Sequence, residues 1–112
     1  MNVYVCYNEN NHELAWEFGA VGDIQIFGSS EKAIDWFISQ VIEGVGQNCF
    51  LPDEENEITL SIKQDGENTS VNREIIDRIF SKNGKLYITM FRDRQENWDV
   101  SYDIVVQTHE VK

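Results

Sequence analysis

A chain of 112 residues fits a single domain and is too short for two domains with separate cores. Its 41% hydrophobic and 12% aromatic content excludes a disordered chain, and a domain this size buries about two-thirds of its unfolded surface, enough to fold without disulfides or metal. The net charge of −11 repels phosphate backbones and anionic lipid, which argues against direct nucleic-acid or membrane binding.

The elements follow in chain order. Val3 to Tyr7 is short, β-branched and aromatic, and reads as a buried strand. A polar break from Asn8 to Glu13 reads as a loop. Leu14 to Phe18 and Ile24 to Phe27 read as two further strands separated by Gly19 and Gly22, together a hairpin or bulged meander. Ser29 offers an N-cap hydroxyl, Glu31 sits in the first turn where the macrodipole favours an anion, and Ala33/Ile34, Phe37/Ile38 and Val41/Ile42 recur at helical spacing. A helix is expected there, ended by Gly44 and Gly46. Asn48 to Glu57 reads as a loop around Pro52, pinned by Phe50 and Leu51.

Ile58, Leu60 and Ile62 alternate with polar residues, which predicts a strand turning at Asp65-Gly66. A second helix is expected to carry Val71, Ile75, Ile76, Ile79 and Phe80 on one face, with Arg73/Asp77 and Glu74/Arg78 pairs at i, i+4 spacing. Asn83-Gly84 is its stop signal. Leu86, Ile88 and Met90 form one alternating strand, and Trp98, Val100, Tyr102, Ile104 and Val106 another, joined through the polar turn Arg92 to Asn97 as an antiparallel hairpin. The expected fold is α+β, a single domain with a largely antiparallel sheet of about five or six strands, in the order β-β-β-α-β-α-β-β, and two helices packed on it.

Charge is unevenly placed. From Met1 to Glu57 there are 11 acids against Lys32 alone, and the remainder holds 9 acids against 8 bases. Such asymmetry points to a partner of opposite sign, against the plainer reading that acidity serves solubility. No apolar run reaches the length of a membrane span, and Met1 to Tyr7 has neither the basic start nor the cleavage site of a signal peptide. A cytoplasmic protein is expected.

Catalytic and metal chemistry finds little support. His12 and His109 lie at opposite ends of the chain, and Cys6 and Cys49 have no CxxC spacing, so a zinc site is not expected and the thiols read as buried small hydrophobes. Neither Asp53-Glu54-Glu55-Asn56-Glu57 nor Asp65-Gly66-Glu67-Asn68 has the alternation of a calcium loop. Cys6 sits mid-strand among apolar neighbours, where a thiolate is disfavoured. Gly19-Ala20-Val21-Gly22 and Gly44-Val45-Gly46 lack the Lys-Ser/Thr of a phosphate loop. Pro52-Asp53 ahead of Lys63 suggests a metal-dependent nuclease, but Ser61 stands where a second acid is needed. The chain is expected to be no enzyme and to need no cofactor.

Trp36 departs from the apolar pattern. On a helical wheel it falls nearly opposite the centre between Phe37 and Val41, beside Lys32, Ser39, Gln40 and Glu43, and an exposed indole ringed by polar groups has the composition of an interface hot spot. The alternative is that Phe50 and Leu51, or the C-terminal tail, fold over and cover it. Asp35 and Glu43 on the same helix, with Asp53, Glu54, Glu55 and Glu57 beyond it, complete a candidate acidic and aromatic partner-binding patch. The leading expectation is a non-catalytic module that docks a basic protein such as a nuclease or toxin. Toxin immunity proteins and phage-encoded inhibitors of defence nucleases share this general character, an analogy of size and charge. The alternative is an assembly protein that self-associates through an edge strand or the Trp36 face.

Overall fold

The computed structural model describes residues 1–11, 24–46, 51, 56–65, 68–91 and 101–111. Six strands, β1 (Asn2–Asn11), β2 (Gln25–Phe27), β3 (Ile62–Asp65), β4 (Asn68–Val71), β5 (Lys85–Phe91) and β6 (Ser101–Glu110), accompany three helices among the described residues. The helices are α1 (Ser30–Gly46), α2 (Glu57–Leu60) and α3 (Arg73–Asn83). The chain is α+β, as the alternation of short strands with amphipathic helices implies.

A four-stranded antiparallel sheet in the order β2-β1-β6-β5 forms the base of the fold, and β3 and β4 make a separate two-stranded ribbon. The two long central strands pair from Asn2↔Glu110 to Asn11↔Ser101. The β5–β6 pair sets Leu86 against Val106 and Ile88 against Ile104. Because side chains alternate across a strand, this register puts Cys6, Leu86, Ile88, Met90, Ile104 and Val106 on one face. That face meets Ala33, Ile34, Phe37 and Val41 of α1 and Ile76, Ile79 and Phe80 of α3 in one core. Phe37, Ile76, Leu86, Met90 and Ile104 are fully buried, each contributing roughly 1.5–3 kcal/mol through loss of apolar surface to water.

Local chemistry sets the helix ends. At the start of α1 the Ser29 hydroxyl accepts from the Lys32 N–H at 3.4 Å. The Asn72 side chain accepts from the Glu74 N–H at 3.1 Å and opens α3. Gly84 closes α3 in the left-handed conformation, φ 67°, which costs glycine little because it has no Cβ. The Gly84 N–H donates to Phe80 O at 2.7 Å, and its carbonyl accepts from the Thr108 N–H at 3.0 Å, tying the end of α3 to β6.

Five sequence expectations are corrected. β1 continues through Asn11, where a loop is expected from Asn8 onward, because Asn8 to Asn11 pair with Ile104 to Ser101 of β6. Ile58 and Leu60 lie in the helical turn α2, not in a strand, because Asn56 and Thr59 form a reciprocal capping box. Val71 belongs to β4, where it pairs with Ile62, and α3 starts two residues later because Asn72 caps it. α1 runs through Gly44 to Gly46, since Gly44 is buried on its core side and glycine tolerates a helical backbone at a cost of about 1 kcal/mol. The polar β4 was not foreseen. The expected strand Leu14–Phe18, the turn Arg92–Asn97 and the strand residues Trp98 and Val100 lie outside the described residues.

Candidate functional site

Among the described residues, three acids of the first half, Glu31, Asp35 and Glu43, stand exposed on α1. Ala33, Ile34, Phe37, Val41 and Gly44 face the core. The opposite side exposes Glu31, Asp35, Ser39, Ile42 and Glu43, with Lys32 the base nearest them along the helix. One apolar side and one polar side is the arrangement that helical periodicity produces. Here the anchored side holds the acidic side in a fixed position.

Asp35 and Trp36 occupy different flanks of that face. Asp35 is exposed and forms an ion pair with Arg73 at the first residue of α3. The Arg73 guanidinium also donates from Nη2 to the Glu31 carbonyl at 3.2 Å, and its Nε lies 3.9 Å from Asp77 Oδ1. The hydrogen bond to Asp35 raises the Arg73 pKa further above its ordinary value, so the base stays charged throughout the working pH range. Sequence reasoning placed Arg73 in a pair with Asp77 and missed this link to α1. Contacts between residues 38 positions apart leave no local signal.

Trp36 is half-buried and packs against the core. The buried residues of α1 do centre close to the direction between Phe37 and Val41, but at about 100° per residue Trp36 lies roughly 110–120° from that centre, on a flank and not opposite it. From that flank a long indole reaches back to the core, and only part of its surface is left to solvent. Ser39 Oγ donates to the Trp36 carbonyl at 2.7 Å. On the same flank Gln40 Oε1 accepts from Asn8 Nδ2 at 2.9 Å, joining α1 to β1.

Glu43 is exposed one turn before the end of α1, and Glu57 is exposed in the first turn of α2. α2 packs on α3 and β3, whereas α1 packs on the sheet and β4. Glu57 is therefore carried by a separate helix whose main contacts are α3 and β3. Asp53, Glu54 and Glu55, together with Phe50, lie outside the described residues. Leu51 is half-buried against the core, as its expected pinning role requires.

Among the remaining groups, the Cys6 thiol is fully buried and burial pushes it up from 9.0 to about 11. It stays protonated and unreactive at neutral pH. His109 is exposed on β6 with Nε2 at 3.3 Å from Gln107 Oε1. Buried Asp103 accepts from Thr89 Oγ1 at 2.6 Å. Among the described residues no three His, Cys, Asp or Glu side chains gather as a metal-binding group, and no helix is long and apolar enough to cross a membrane. His12 and Cys49 lie outside the described residues. Comparison with protein-family models, with curated proteins and with solved structures yields no match for this chain.

Proposed function

We propose that this chain is a non-catalytic, acidic protein-binding module of the cytoplasm. In this reading it acts as a neutralising inhibitor, in the manner of toxin immunity proteins and phage-encoded anti-defence proteins, and covers the basic surface of an enzyme that acts on nucleic acid. The observation that carries the reading is the exposed ridge of α1. Glu31, Asp35 and Glu43 stand on a helix of 17 residues whose other side is fixed in the core. A rigid anionic ridge loses little conformational freedom on docking, and complementary charge speeds the encounter with a basic cleft. Trp36 adds an apolar border on one flank, and Glu57 with Asp53, Glu54 and Glu55 extends the acidity along the chain.

The test begins with affinity capture from the native host and identification by mass spectrometry, followed by binding kinetics with the purified partner. The expected partner has a basic nucleic-acid-binding face and an on-rate that falls at least tenfold between low salt and about 0.5 M, as steered association does. Replacing Glu31 and Glu43 with lysine should slow association while leaving the circular dichroism spectrum unchanged. An on-rate indifferent to salt and to both substitutions would overturn the proposal.

A second reading, self-association through an edge strand, draws on the place of β5. It is a terminal strand of the sheet, and its Tyr87 is 47% exposed. This reading requires a homo-oligomer in sedimentation that survives high salt, whereas the inhibitor requires a salt-sensitive heterocomplex.

A further inference from the structure

We draw no further inference here: the strongest candidate, the sheet face turned away from α1 and α3, where Ile26 and Tyr87 stand exposed on either side of buried Val105, carries nothing because nothing in the structure shows what covers it.

Discussion

The helices α1 and α3 close the same core yet lean on different supports. α3 is an 11-residue helix with a side-chain cap at Asn72, a left-handed glycine at Gly84, an acid in its first turn and Lys82 in its last. α1 is longer, has no base in its last turn, and depends on five buried residues, Ala33, Ile34, Phe37, Val41 and Gly44. A helix whose ends and dipole are satisfied locally is stable partly in its own right. α1 has a comparable start, with the Ser29 hydroxyl accepting from the Lys32 N–H and Glu31 in its first turn, but without a base in its last turn it draws more of its stability from packing. The difference teaches where surface charge is free to vary. α1 can carry an excess of acid along its outer side because its place in the fold is decided on its inner side.

The sharpest way to break this comparison is to remove packing from α1. Phe37→Ala deletes a fully buried ring and should cost about 3–5 kcal/mol, the range for large aromatic truncations in a core. Urea denaturation measures it, and a loss below about 1 kcal/mol would mean that α1 does not depend on its buried side.

The helix ends give the next largest contrast. At Gly84 an added Cβ meets only ordinary contacts with Thr108, the nearest at 3.8 Å, but the backbone is left-handed at φ 67°. Gly84→Ala should therefore lose about 1–2 kcal/mol through backbone strain alone. At Gly46 an added Cβ meets nothing within 4 Å, and positive φ among the described glycines is found at Gly84. Gly46→Ala should be neutral or gain about 0.4–1 kcal/mol by restricting the unfolded chain. Thermal melts of the two variants should move in opposite directions. Equal losses would show that both helices stop on glycine geometry.

The same local logic explains which elements are legible in the sequence. Asn83-Gly84 marked the end of α3 because the signal is a single residue with a single conformational role. Leu86, Ile88 and Met90 alternated because one side of β5 is core and the other is not. At Ile58, Leu60 and Ile62 the alternation misled. Ile58 and Ile62 are buried while Leu60 is 62% exposed, the outcome of spacing by four rather than by two. The competing signal, Asn56 with Thr59 three residues on, was the stronger one. β4 escaped notice because Asn68 and Ser70 are poor strand formers on either side of Thr69, and it exists through pairing with β3. For the candidate site, Asp35 and Glu43 are exposed as the wheel implies. Half-burial of Trp36 follows from its place on the flank of the core side, within reach of a long indole, and the Arg73 link turns on tertiary proximity.

A further effect is confined to alkaline pH. The Cys6 thiol lies on β1, which packs under α1, and its folded pKa is raised to about 11 from 9.0. Between those values the unfolded chain has released this proton and the folded chain still holds it. The contribution is therefore fully present below pH 9.0 and lost as pH rises towards about 11. Denaturation at a series of pH values should show a steeper alkaline decline for the parent than for Cys6→Ala, with both measured in a Cys49→Ser background. Parallel curves would place the thiol in contact with water.

The smallest expected effect concerns the ion pair that joins the two helices. Arg73 and Asp35 are both substantially exposed, with side-chain exposures of 38% and 59%, so water screens their attraction and holding two long side chains costs entropy. Such pairs are worth under about 1 kcal/mol, and less as salt rises. Asp35→Asn should thus lower stability slightly at low ionic strength and by an amount lost to measurement near 1 M salt. The same substitution bears on the docking proposal. While Arg73 holds Asp35, the charge that Asp35 can offer a partner is partly neutralised. Asp35→Asn should then change the association rate with a basic partner by less than about twofold, and a larger slowing would move the centre of the docking surface to the junction between α1 and α3.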